Sequence, residues 1–537
     1  MRLTHLTLGL LSALPLALAT TTTYKAYNIS VPIDHPRFHT SHRYSPHTNA
    51  TFPLRYWFDA THYTPGGPVI LIAAGETSGE DRFPFLSQGI ATQLAREYSG
   101  LAVILEHRYY GASYPFAEQD LTLKTIRFLS TEQALADYAY FAENVVFPGL
   151  EEYDLTAPAT PWIAYGGSYA GAMVAFLRKL YPATFWAAVS SSGVTAAIVD
   201  YWNYFEPIRH FAPPPCVDAI QTRVEILDAI FIEHPRNKTL HAQAQSVFGI
   251  PAGKTINNTD FVNLLSNVLG EFQGRNWDPA VGSGEFANYC ANITAAEPLY
   301  APDNYTALLP GILESAGFDG SNKTLLANLR NEIGYMRPAI ESYLESLDSQ
   351  NEESGAAVAS GTLSKDSGTS WNYQVCTEWG YFMPGSTVPK GIRPLLSRLL
   401  TLEYTSAVCP DTFNITAPPE VARINRYGGL HFSFPRVAII GGTADPWRDA
   451  TPHAEGLRGR ESTASEPFLL LDVPGEEVWD GMRGGVHHWD QNGLSDEEIG
   501  EGKRAPREVE ELQAEIVGFV GGWLEEWECE VKGREGL

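Results

Sequence analysis

Apolar and polar positions along this chain follow two rhythms, and the change from one to the other divides it. Pro68 to Ala74 and Leu101 to Leu105 are continuous apolar runs, the pattern of strands buried on both faces. Between them, Phe85, Leu86, Ile90 and Leu94 recur at helical spacing over residues 83 to 98. Thr131 to Val146 predicts a second helix, opened by the capping box Ser130-Thr-Glu-Gln133. A short apolar run, Trp162 to Tyr165, precedes a helix marked by Met173, Phe176, Leu177 and Leu180, and Trp186 to Ser190 adds one more strand. Upstream, Thr51 to Phe58 alternates as antiparallel edge strands do. Strands alternating with helices in units of ~30 residues predict a mostly parallel α/β sheet.

That rhythm stops near Val194. Residues 196 to 419 read as helices and loops, with Pro213-Pro-Pro215 and a Gly/Ser-rich stretch from Gly355 to Ser370. Strand signals return at Arg436 to Ile440 and Pro467 to Asp472, and residues 507 to 527 close the chain with an amphipathic helix. The division is therefore a sheet domain in two parts, 20–195 and 420–537, interrupted by a largely helical cap, 196–419. Ahead of both, Arg2, the apolar stretch Leu6 to Leu18 and Ala17-Leu-Ala19 make residues 1–19 a secretory signal peptide cut after Ala19. The stretch is too short for a comfortable bilayer crossing, and no other run approaches ~20 residues, so no membrane span is expected.

The junction Pro161-Trp-Ile-Ala-Tyr-Gly-Gly-Ser168-Tyr-Ala-Gly171 is where chemistry enters. Strand, sharp turn and helix push a serine into a strained backbone position with its hydroxyl exposed. Ala170 stands where the usual G-x-S-x-G pattern has glycine, a departure by one methyl. A serine hydroxyl needs a base to take its proton, and the base needs a carboxylate to fix its tautomer. In an α/β-hydrolase these follow in the order Ser, Asp, His, each after a strand. Ser168, Asp445 after the strand 436–440, and His487 after the strand 467–472 meet that order. His488 rivals His487, because adjacent side chains point differently and only one can face Ser168. Glu314-Ser-Ala-Gly317 mimics an elbow without the glycine and strand that should precede it, and His107 and His431 both precede the acid. The Tyr169 amide, and a second amide near Gly75 or Glu76, are the expected oxyanion donors.

Composition narrows the class. A formal charge of -26, from 37 basic and 63 acidic residues, argues against nucleic acid as a partner, since phosphate binding needs a basic surface. No C-x-x-C or H-E-x-x-H pattern supports a metal, and no cofactor is expected. Five cysteines fit a secreted enzyme with two bridges and Cys529 as the odd one. Asn28, Asn49, Asn237, Asn257, Asn292, Asn304, Asn322 and Asn414 head Asn-x-Ser/Thr sequons, candidate glycosylation sites in a secreted chain.

Glu106-His-Arg-Tyr-Tyr-Gly-Ala-Ser113, Gly166-Gly-Ser-Tyr-Ala-Gly171, Gln374-Val-Cys-Thr-Glu-Trp-Gly380, Asp445-Pro-Trp447 and Gly485-Val-His-His488, in this order, resemble one family. It is the serine peptidases of lysosomal Pro-Xaa carboxypeptidase, dipeptidyl peptidase II and the fungal acid prolyl endopeptidases. The resemblance implies an α/β-hydrolase with an inserted helical domain, cleavage after proline in peptide or protein substrates, and frequently an acidic optimum. It implies Ser168, Asp445 and His487 as triad, and the bridges Cys216–Cys290 and Cys376–Cys409. A shallow aromatic pocket would grip the proline ring, and Trp371, Tyr373, Trp379 and Tyr381 are candidates, Trp379 and Tyr381 foremost. Two departures are Ala170 and a charged insert from Gly456 to Glu466. An esterase or lipase on the same fold, or a silent secreted binding protein, is the alternative. Exo- against endopeptidase action and homodimer formation stay open, and so does the choice between an extracellular and a vacuolar or lysosomal destination.

Overall fold

The computed structural model of the protein describes residues 23–251, 254, 256–301, 306–360 and 362–535. The predicted leader, 1–19, and the sequon at Asn304 lie outside them. Ten strands occur among the described residues: β1 (Tyr27–Pro32), β2 (Thr51–Asp59), β3 (Val69–Ala73), β4 (Leu101–Leu105), β5 (Trp162–Gly167), β6 (Ala187–Ser191), β7 (Ile198–Asp200), β8 (Gly380–Phe382), β9 (Val437–Gly442) and β10 (Phe468–Leu471). Eight form one sheet in the order β1-β2-β4-β3-β5-β6-β9-β10. β2 runs antiparallel to both β1 and β4, and every pairing from β4 to β10 is parallel.

The apolar runs explain this arrangement. β3, β4, β6 and β9 are buried at every position, as parallel strands covered on both faces must be. β10 is the outer strand, and its Leu470 stays 38% exposed. Helix Ser168–Leu180 packs on β5 and β6, and helix Thr131–Asn144 packs on it in turn. Helix Arg507–Glu535 lies against β10 and helix Ile90–Glu97. A mostly parallel sheet between helices, with a serine at the turn from its central strand β5, is the α/β-hydrolase fold.

One local signal resolves differently from its sequence pattern. Ser130 caps its helix by accepting the Gln133 N–H at 3.4 Å, but Gln133 does not reach back to close the box. Its amide instead accepts the His35 N–H at 3.0 Å and donates to Asp34 at 2.7 Å. A tertiary contact with the N-terminal segment outcompetes the local one.

Between β6 and β9 the chain is mostly helical, including Pro214–Asp228, Lys238–Val247, Asn258–Ser266, Glu285–Ile293 and Lys323–Ser360, with β7 and β8 paired in parallel. Cys216 is joined to Cys290 and Cys376 to Cys409, while Cys529 is free and exposed. Asn237, Asn257 and Asn322 accept the backbone N–H of Leu240, Thr259 and Leu325, the geometry of helix N-caps. Asn28, Asn49 and Asn414 are exposed, and Asn292 is half-buried between Asn288 and Tyr300.

Candidate active site

Ser168 sits where β5 turns directly into its helix, with φ at +60°, the left-handed region that costs a non-glycine residue energy. The glycines around it are steric necessities. A Cβ on Gly166 would lie 2.4 Å from the Ala170 carbonyl oxygen, and one on Gly171 would lie 2.8 Å from the Gly193 Cα. Ala170 fits because it faces another glycine: a Cβ on Gly75 would approach its methyl to 3.2 Å. Gly166→Ala should therefore displace the elbow and lower kcat/KM by about 10²-fold, since misplacing a reacting group by ~1 Å costs that much. Turnover by a folded Gly166→Ala protein at the native rate would refute this account of the turn.

Asp445 and His487, 42 residues apart, meet beyond the C-terminal ends of β9 and β10. His487 Nδ1 lies 3.0 and 3.1 Å from the two Asp445 oxygens, and Asp445 Oδ1 also accepts the Trp447 N–H at 2.9 Å. Both residues are almost fully buried. With Nδ1 committed, Nε2 is the nitrogen left for a substrate-side role, and it is enclosed without a partner. Ser168 Oγ and His487 Nε2 are not hydrogen-bonded to each other here. Such bonds are often long in free enzymes and tighten with substrate.

His488 is used differently. It has φ of +43°, and its amide donates to Ser192 Oγ at 2.9 Å. Its ring packs under the elbow, where a Cβ on Gly167 would lie 3.1 Å from its Cδ2. Burial pushes its pKa well below the ordinary histidine value, with His487 and Arg82 as further contributors. A neutral, packed ring is what these surroundings favour.

The loop that carries both histidines is clamped from the helical region. Arg275 forms a fully buried ion pair with Asp480 at 2.7 Å and donates to the Met482 carbonyl at 2.6 Å. The Trp489 indole donates to the Arg275 carbonyl at 2.8 Å, and the Trp277 indole to the Trp489 carbonyl at 3.0 Å. Below, Asp490 accepts the hydroxyls of Tyr165 and Ser191, tying the same loop to β5 and β6. Sequence reasoning missed all of these partners. Nothing local marks a pair 205 residues apart.

The quoted motifs converge on Tyr169, whose side chain has no exposed surface. Its hydroxyl lies 3.0 Å from His107 Nε2 and accepts the Gln374 amide N–H at 2.8 Å, while Tyr110 donates to Gln374 Oε1. Trp371 and Trp379 meet its ring edge-on at 5.5 and 5.2 Å. Glu378 anchors this segment to helix Thr131–Asn144 by accepting the Thr131 N–H and hydroxyl, both at 2.9 Å. The Tyr169 amide, at the first turn of its helix, is thus held by a side chain fixed on several sides. Glu76 lies on the loop after β3, beside the elbow.

The aromatic candidates divide by exposure. Trp379 is wholly buried, with its indole on Thr131 Oγ1 and its ring edge-on against Tyr169. Tyr381, also buried, gives its hydroxyl to the Ala196 carbonyl at 2.7 Å. Tyr373 packs edge-on to Phe413, and Trp371 keeps partial exposure. Trp447, which the sequence marks only as part of the acid motif, stacks on Tyr201 and meets Tyr381, with its indole on Gln273. It remains 9% exposed.

Ser315, the rival elbow serine, lies inside a helix with its hydroxyl on the Gly311 carbonyl. The charged insert is held by an Arg460–Glu466 ion pair and by Arg460 on the Phe432 carbonyl. Among the described residues no cluster of three His, Cys, Asp or Glu side chains could hold a metal ion, and no helix is long and apolar enough to cross a membrane.

A family model described as serine carboxypeptidase S28 matches residues 41–461, which include Ser168 and Asp445 and stop short of His487. A protein named "Probable extracellular serine carboxypeptidase", from Arthroderma benhamiae, is 44% identical over 509 residues, covering 93% of this chain and 68% of its own length. Serine protease vicPa of Bipolaris victoriae is 26% identical over 464 residues, covering 79% and 80%. The thymus-specific serine protease of Mus musculus is 28% identical over 431 residues, covering 78% and 77%.

Proposed function

Because this chain belongs to the serine carboxypeptidase S28 family, and is a serine peptidase by that membership, we propose that it hydrolyses peptide bonds on the carboxyl side of proline through Ser168, His487 and Asp445. The observation that carries the assignment of roles is the His487 ring, bound through Nδ1 to both Asp445 oxygens with Nε2 unpartnered. His487 takes the Ser168 proton, the serine oxygen attacks the proline carbonyl, and the Tyr169 amide supports the oxyanion together with the amide of Glu76 or its neighbour Gly75. The amine leaves with the proton from His487, and water repeats the sequence on the acyl-enzyme. Trp447, 9% exposed against 5% for Tyr381 and 0% for Trp379, is the better placed of the three to face the proline ring. Residues 196–419 act as the cap over this cleft. Secretion or delivery to a vacuole fits both the leader predicted at the N-terminus and the extracellular relative.

The test of specificity is a matched peptide series with Pro, Ala, Leu or Arg before the cut, assayed from mildly acidic to neutral pH. Proline should lead by about 10²-fold or more, because its fixed φ lets a shallow pocket hold it at little entropic cost. Equal cleavage after Leu or Arg at every pH would leave only a generic serine hydrolase. Fluorophosphonate labelling separates any enzyme reading from a silent binding protein.

A further inference from the structure

The loop after β3 holds two charged side chains that this mechanism leaves unused. Glu76 Oε2 is enclosed and has no hydrogen-bond partner. Burial holds the Glu76 carboxyl above the usual carboxylate range, against the pull of Arg82, its own amide and His487. Arg82, ending the turn Gly79–Arg82, donates Nε–H to the Ala74 carbonyl at 3.0 Å, two residues before Glu76. Among the described residues no carboxylate comes within ion-pair distance of it. Burial lowers its pKa, with Glu76 and Asp81 opposing, yet a guanidinium keeps its charge throughout the working range. The other ionisable groups facing the pair are His487, His488 and the phenols of Tyr110, Tyr138 and Tyr169. All three phenols have pKa values raised by burial, so none brings a negative charge.

An enclosed carboxyl oxygen without a partner, beside a guanidinium with no carboxylate at ion-pair distance, is a receptor for an anion when the carboxyl holds its proton, the form that burial favours. Its position says which one. His487 hands its proton to the departing amine, so the residue being released lies on the histidine side of the cleft. When the cut falls one residue from the end of a peptide, that residue carries the terminal carboxylate, about one residue's length (~3.5 Å) from the reacting bond. We propose that Glu76 and Arg82 bind the α-carboxylate of the substrate's C-terminal residue and so make this enzyme a carboxypeptidase. The inference rests on the serine peptidase reading above and adds its mode of attack. Arg82 supplies charge and N–H donors, and the Glu76 hydroxyl donates to the same carboxylate. Once ionised, Glu76 repels it instead.

The experiment uses the full chain and two blocked peptides, acyl-Pro-Phe with a free carboxylate and the same peptide ending in an amide. The native protein should favour the free acid by about 10²-fold in kcat/KM, the scale of one charge-assisted contact. Arg82→Gln should shrink the acid-to-amide ratio by a similar factor. Rising pH should depress cleavage of the acid but not of the amide, and Glu76→Gln, which still donates a hydrogen bond, should abolish that depression. Thermal melts and far-UV circular dichroism matching the native protein show that both variants are folded. Equal rates on acid and amide in the native protein would overturn the proposal, as would an unchanged ratio in Arg82→Gln. Failure to label, with neither peptide cleaved, would instead bring down the serine peptidase reading and this inference with it.

Discussion

Ser168→Ala is expected to lower kcat/KM by about 10⁴-fold or more while leaving the fold intact. The hydroxyl is the only atom removed. The strained backbone at φ +60° is imposed by the strand–helix junction and by the packing of Gly166 and Gly171, not by the serine itself. Residual activity would come from substrate binding and the oxyanion amides, which the substitution does not touch. Peptide cleavage rates and a thermal melt of the same preparation decide the matter. A well-folded, uncontaminated Ser168→Ala protein that keeps most of its activity would remove Ser168 as nucleophile.

The second large effect separates the two histidines. His487→Ala should match the serine substitution, again about 10⁴-fold, and combining the two should cost little more, because nucleophile and base act as one unit. Asp445 would keep its bond from the Trp447 amide and lose the imidazole. His488→Ala removes a ring packed beneath Gly167, and should loosen the elbow and lower the melting temperature more than it lowers turnover. If His488→Ala is the inactive protein and His487→Ala the active one, the roles are exchanged.

The sheet was legible in the sequence because buried parallel strands are written as unbroken apolar runs, and β3, β4 and β9 leave little else for those residues to be. The elbow was legible for a related reason. Glycines at 166, 167 and 171 mark backbone approaches too close for any side chain. Asp445 and His487 could be proposed from chain order alone. What the sequence hid was everything settled by contacts between distant segments. Gln133 carries the letter of a capping box, yet its amide serves His35 and Asp34. Trp379 reads like a pocket aromatic and is a buried support for Tyr169. The carboxyl of Glu76 attracts no notice until its burial and its neighbour Arg82 are seen together.

The clamp on the histidine loop bears on how the molecule comes to life. Ser168 belongs to a turn made by adjacent strand and helix, so it can take shape early from local contacts. The loop bearing His487 leans on Arg275 and Trp277, which arrive from the long intervening stretch. A chain with its sheet assembled but its helical region undocked would therefore carry Ser168 without a seated His487. Loosening of the helical region is therefore expected to remove activity before the sheet melts. For the same reason the helical region is no detachable accessory: grafting in a foreign one would preserve the sheet and its serine and still deliver an inert protein.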